Sequence, residues 1–320
     1  MKKDKLQTVP KVLYGLAKLL GTEVKNRRLE IPEKFGKGYC AGFVFNEHIR
    51  MLISNYELFE DLVVKNQVIN TLERIIFFKF QNIFPKAETY ISEKPLKAVP
   101  SVLIGTSRIN TDDFISIHSN TATINIEVDA NYLNGLFEVS EKSPVLQSLL
   151  QNTQPLLFDQ LIYPSLQKIV DEIVTEPVDE FFELFFLRIK AEELVCRLLM
   201  ELEKRDEKHL YDLNIHDIQA IYKVKEQMLE HLETPPVIKE LAVCANMSPS
   251  KLKRLFRQIF GNSIFSYYQE FRMKEAARLL KEEKLSVSDA GYQLGFINLS
   301  HFSRVFKEHI GMKPKQYSRS

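Results

Sequence analysis

Residues 251–261, KLKRLFRQIFG, return fifty positions later as residues 301–311, HFSRVFKEHIG, and this repeat decides the fold of the C-terminal third. Arg254 aligns with Arg304, Phe256 with Phe306 and Gly261 with Gly311, while Leu252/Phe302, Leu255/Val305 and Arg257/Lys307 keep their chemistry. At helical spacing Leu252, Leu255, Phe256 and Ile259 make one apolar stripe, as do Phe302, Val305, Phe306 and Ile310. The opposite face carries Ser250, Lys253, Arg254 and Arg257 in one copy and Ser300, Ser303, Arg304 and Lys307 in the other. Each helix has one face to bury and one built to meet negative charge. Lys251/His301 and Lys253/Ser303 make the first copy more basic by two charges, so it is expected to dominate phosphate affinity.

Outward from the repeat, every neighbouring element is legible. An amphipathic helix over 218–232 stops at Thr234-Pro235-Pro236, and a second helix covers 237–246 with Leu241, Ala242 and Ala245 facing inward. Small residues suit a tight helix crossing. Ser248 is a natural N-cap, Pro249 fits the first helical position, and Gly261 supplies the left-handed stop. This pattern predicts a helix-turn-helix. A long helix over 264–283, capped by Ser263, spans roughly 30 Å at about 1.5 Å per residue. One duplex turn is about 34 Å, so this spacer suits two recognition helices in successive major grooves. The second unit is expected as a helix over 287–294, a turn over 295–298, and a helix over 299–310, closed by a short helix from Pro314 to Tyr317. Ala290 aligns with Ala242 at an offset of 48, which predicts a second turn about two residues longer.

The stretch from Leu241 to Tyr317 resembles the DNA-binding domain of the AraC/XylS family of transcriptional regulators. The resemblance rests on Leu241-Ala242, Ser248, Arg254-Leu255-Phe256, Gly261, Arg272, Ala276, Leu279-Leu280, Gly295-Phe296, Phe302-Ser303-Arg304-Val305-Phe306, Gly311 and Pro314. It covers about the last 100 residues. The family's closing Tyr-Arg pair is Tyr317-Ser318 here, with Arg319 one step later. The resemblance implies base-facing roles for Ser250, Lys253 and Arg254 in the first unit, and for Ser300, His301, Ser303 and Arg304 in the second. Arg254 and Arg304 suit bidentate bonds to guanine, worth about 1–3 kcal/mol of discrimination each, or else a phosphate contact or intramolecular pairing. Lys251, Arg257 and Lys307 suit phosphates, which add affinity without sequence information. Ser250 and Ser300 are either base contacts or caps and spacers, and His301 either packs or binds.

The remainder differs in texture. Residues 221–320 hold 17 Lys/Arg against 10 Asp/Glu, net +7, whereas residues 1–220 hold 26 against 32, net −6. A polyanion partner is expected for the basic part alone. A short helix is predicted over 10–20, and strands over 39–45, 49–54, 74–80, 101–106, 114–118 and 123–128, with a hairpin turn at 119–121. Phe43, Phe45, Ile53, Ile76, Phe78 and Phe80 would line the interior. Helices follow over 131–137 and 156–174, then a long one from Pro177 to about Arg205, apolar on more than one face from Phe181 to Leu202. Such a helix wants two things to pack against: its own domain and a second copy of the chain, or else its own domain on both sides.

The fold class expected is α+β. Residues 1–205 would form a small β-barrel, cupin-like, with a helical dimerisation segment; 206–217 would be a linker; 218–320 would form an all-α domain with two helix-turn-helix units. In the family resembled, an N-terminal sensor commonly precedes a dimerisation segment, and the 163–174 and 185–199 stretches resemble the helical pair of siderophore-responsive, pyochelin-type members.

The expected partners are double-stranded DNA across two adjacent major grooves, a second copy through the 178–205 helix, a small effector and RNA polymerase. The alternative for the N-terminal half is a protein partner in place of a metabolite. Arg50 and Arg74 are candidate contacts for an anionic effector, or else outward-facing solvated charges. His48 and His118 lack the neighbouring ligands of a metal cupin, so no metal or cofactor is expected. An enzyme carrying this tail, such as an alkyl-transfer repair protein, would need a zinc-held Cys cluster, and the spacing of Cys40, Cys196 and Cys244 argues against one. Cysteines so placed suit a reducing cytoplasm. Lys11 and Lys18 break the early apolar run, so no signal peptide is expected, and no stretch reaches the roughly 18–20 apolar residues of a membrane span.

Overall fold

The computed structural model describes residues 8–59, 74–83, 100–107, 120–137, 143–205 and 210–319. The chain divides into two compact units, 1–215 and 216–320. The N-terminal unit contains α1 (Lys11–Leu20), β1 (Arg28–Glu30), β2 (Gly36–Val44), β3 (Ile49–Leu58), β4 (Ile75–Gln81), β5 (Ser101–Thr106) and β6 (Asn120–Asp129). It continues with α2 (Ala130–Leu136), α3 (Pro144–Gln151), β7 (Leu157–Leu161), α4 (Pro164–Thr175) and α5 (Glu180–Glu203).

The seven strands form one antiparallel sheet in the order β1-β2-β3-β6-β4-β5-β7. Alternation places one apolar row across it. Phe43 lies opposite Met51, Met51 opposite Ile126, Ile126 opposite Phe78, Phe78 opposite Ile104, and Ile104 opposite Phe158. All six are buried in a core that α2 to α5 complete with Leu133, Leu149, Leu166 and Leu198. Each such side chain contributes about 1.5–3 kcal/mol by leaving water. A smaller core joins α1 to Leu29, Cys40 and Leu58. Cys40, Cys196 and Cys244 are all free thiols, and burial pushes the Cys40 thiol up to about 11.

Several expectations change here. The sheet is open: β1 and β7 are its outer strands, and among the described residues no pairing joins them into a barrel. A three-residue β1 offers too little ladder to close one. Residues 156–174 are a strand followed by a helix, because Pro164 opens α4 at its first position. Asn120 and Thr121 are no turn; they pair with Glu57 and Tyr56 inside β6. The strand expected over 114–118, His118 and Ser119 lie outside the described residues. α5 buries Leu187, Ala191, Leu194, Val195, Leu198, Leu199 and Leu202, and leaves Phe181, Phe182, Phe185, Ile189 and Met200 exposed.

The C-terminal unit is all helix: α6 (Ile215–Glu230), α7 (Ile238–Cys244), α8 (Pro249–Phe260), α9 (Ile264–Lys281), α10 (Val287–Gln293), α11 (Leu299–Ile310) and α12 (Pro314–Tyr317). α6 begins at Ile215, inside the stretch expected as linker. α9 has 18 residues, about 27 Å. Arg278 anchors its end by ion pairs to Glu275, Glu282 and Glu283. Among the described residues no helix is long and apolar enough to cross a membrane.

Candidate nucleic-acid interface

The two repeat helices, α8 and α11, are built from the same local parts. The Ser248 hydroxyl accepts from the Lys251 N–H at 3.2 Å, and the Asn298 amide oxygen from the His301 N–H at 3.0 Å. Gly261 and Gly311 close the helices with φ of 73° and 87°, where a side chain would be strained. Asn298 was legible only as part of the turn, yet it is the second cap. With Ser248 and Asn298 capping, Ser250 and Ser300 fall inside their helices, so the cap role considered for them goes elsewhere.

The inner faces are sealed. Leu252, Leu255, Phe256 and Ile259 are buried in α8, and Phe302, Val305 and Phe306 in α11. Phe256, Phe260 and Tyr267 interlock at 4.5–5.6 Å in the first helix-turn-helix unit, and Phe296, Phe302 and Phe306 at 5.2–5.9 Å in the second. What remains outside is the polar set: Ser250, Lys253, Arg254 and Arg257 on α8, with Ser300, His301, Arg304 and Lys307 on α11, are exposed, and Lys251 and Ser303 are half-buried.

Lys251 has a partner that its sequence role did not anticipate, and His301 takes the packing role open to it. The Lys251 ammonium lies 2.7 Å from Asp217 on α6, so its charge is offset within the domain before any phosphate arrives. The His301 ring packs 5.8 Å from Phe296. The surplus charge of the first helix-turn-helix unit therefore rests mainly on Lys253.

The turns differ by one residue, where the sequence suggested two. Asn246 and Gly295 take the left-handed conformation at φ of 50° and 75°. Directly after them, the Met247 N–H bonds Ala242 and the Phe296 N–H bonds Gly291, both at 2.9 Å. The residue matching Ala242 is thus Gly291, not Ala290. A Cβ on Gly291 would come 2.8 Å from the end of the Leu299 side chain, so the crossing there is close and a larger residue needs that side chain to shift. Met247 leads straight into its cap, whereas Ile297 intervenes between Phe296 and Asn298.

Arg272, seen in the sequence only as a signature residue, is the buried pin of the second helix-turn-helix unit. Its guanidinium donates to the Leu294 carbonyl and, at 2.7 Å, to Gln269 Oε1, with its carbon 4.1 Å above the Phe296 ring. Burial lowers its pKa from the usual arginine value. A cation 22 positions from its acceptor leaves no local trace in sequence.

The effector candidates both have internal partners. Arg50 pairs across the sheet with Glu127. Arg74 donates to Asn131 at 2.8 Å and to the Gln151 carbonyl, tying α2 and α3 to β4. His48 stacks on Tyr132 at 4.6 Å. Among the described residues no group of three or more His, Cys, Asp or Glu is placed to hold a metal.

A family profile described as a helix-turn-helix domain matches residues 241–320. The HTH-type transcriptional regulator GbdR of Pseudomonas aeruginosa is 33% identical over 108 residues, 34% of this chain and 29% of that protein. The arabinose operon regulatory protein of Escherichia coli is 37% identical over 71 residues, 22% of this chain and 24% of that one. Both matches span less than a third of the relative's own length. A solved transcriptional regulator with an AraC-type DNA-binding domain, from Chromobacterium violaceum, shares 26% identity at a TM-score of 0.31, covering 33% of this chain and 95% of that chain. Residues 241–320 of the chain thus form a helix-turn-helix domain, similar to part of these two transcriptional regulators.

Proposed function

We propose that the chain is a sequence-specific transcription regulator that reads double-stranded DNA in two adjacent major grooves. The observation that carries this is the pairing of two capped helices, each with a sealed apolar face and an exposed polar face, bridged by α9. Arg254 and Arg304 read bases, with Lys253, Ser250, Ser300, Ser303 and His301 beside them, and Arg257 and Lys307 meet phosphates, with Lys251 contributing less. The test is sequence selection from a random DNA pool by the wild type and by Arg254→Ala. The variant should lose preference at one base position, a loss of about 1–3 kcal/mol there, while non-specific affinity falls little. An unchanged selected sequence removes Arg254 from this role.

The N-terminal unit is the control element, with a small effector and RNA polymerase as its further partners. It has its own core and the chain's acidic surplus. The exposed Phe181, Phe182, Phe185 and Ile189 support a protein contact as well, a second copy of the chain along α5. Sedimentation should show a dimer that Phe181→Ser with Phe185→Ser dissociates. A wild type that stays monomeric at every concentration, with and without DNA, ends this reading.

A further inference from the structure

Ile297 is the one residue by which the second turn exceeds the first, and it is 96% exposed. An apolar residue just before an N-cap ordinarily packs on the residue four places into the helix, here Phe302. That place is taken: Phe296 lies against Phe302 at 5.2 Å, and Phe302 is fully buried. The inserted isoleucine is thereby held off the core, immediately before Asn298, at the N-terminal end of α11. That end of a recognition helix contacts base edges. Its neighbours there, Ser300, His301 and Arg304, are polar and exposed and Leu299 is half-buried, so Ile297 is the fully exposed apolar side chain at that end of α11.

We propose that Ile297 is a specificity-determining residue that packs on the 5-methyl group of a thymine in the major groove of the second half-site. This assignment rests on the DNA-reading function proposed above. The thymine methyl is the apolar feature that the major groove offers, and it distinguishes T from C at the same edge. Burying it against a branched side chain is worth about fourfold in affinity, the value of one methyl leaving water.

The experiment uses the full chain and a site obtained by selection from a random pool. Each thymine of the second half-site is replaced in turn by uracil, which removes only the methyl. The wild type should lose about fourfold at one position and little elsewhere. Ile297→Ser should bind the uracil and thymine forms of that site equally, and Ile297→Val should keep most of the difference. Because the side chain is exposed, both variants should unfold at the wild-type temperature. If the wild type selects no sequence, the DNA-reading function falls and this assignment with it. If a site is selected but the uracil series is flat, or Ile297→Ser retains the same sensitivity, the assignment alone falls. Unchanged DNA affinity with weakened transcription would make Ile297 a contact for a protein.

Discussion

Gly295→Ala should destabilise the C-terminal unit by about 3 kcal/mol and erase DNA protection at the second half-site while sparing the first. Gly295 sits at φ 75°, a conformation that costs an L-residue about 1–2 kcal/mol. A Cβ there would also fall inside contact distance of the Glu233 carbonyl, which is main chain and cannot swing aside. Overpacking of that kind adds about 1–3 kcal/mol. At roughly 4–8 °C per kcal/mol for a unit of this size, the melting transition should fall by more than 10 °C. Gly311→Ala is the control: φ is 87° but open space surrounds the position, so only the strain applies. If the two alanines cost the same, the close approach to Glu233 contributes nothing.

Arg272→Met should cost about 2–3 kcal/mol, again confined to the second reader. The substitution keeps most of the volume but leaves the Leu294 carbonyl without its charged donor, a loss of about 1–3 kcal/mol. It also removes the cation from the faces of Phe296 and Tyr268, at 4.1 and 5.1 Å. Part of this is offset because a guanidinium no longer has to be dehydrated. Arg272→Lys keeps the charge but not the fork that reaches Leu294 and Gln269 together, so it should fall between wild type and methionine. Calorimetry of the three proteins checks the order, and methionine equal to wild type would show that the pin carries no load.

Much of this architecture was legible because its signals are local. Caps, left-handed glycines and apolar stripes each occupy a few consecutive residues, so α8, α9 and α11 emerge from sequence nearly to the residue. The apolar runs of β2 and β4 are equally local, and the interior residues Phe43, Phe78 and Phe80 lie on them. The misses are of another kind. β1 is too short to show a period, and the apolar run of β7 continues into Ile162 before a proline restarts the chain as helix. Whether a sheet closes depends on its two most distant strands. The Leu294 partner of Arg272 and the partners of Arg50, Arg74 and Lys251 lie 22 to 77 positions away, beyond any periodicity. The second turn was misjudged by one residue because Gly291 stands where the first copy has alanine, and only the hydrogen bonds align the two.

The contact of Gly295 with Glu233 is joined by a second one, the Tyr268 hydroxyl donating to the Leu232 carbonyl at 2.7 Å. Both abutments lie before residue 241, where the helix-turn-helix profile match starts. The stretch that the helix-turn-helix profile matches is therefore smaller than the stretch that holds itself together. A fragment cut at residue 241 keeps every reader side chain and lacks the ledge on which the second reader rests, whereas one beginning at 216 carries its own foundation.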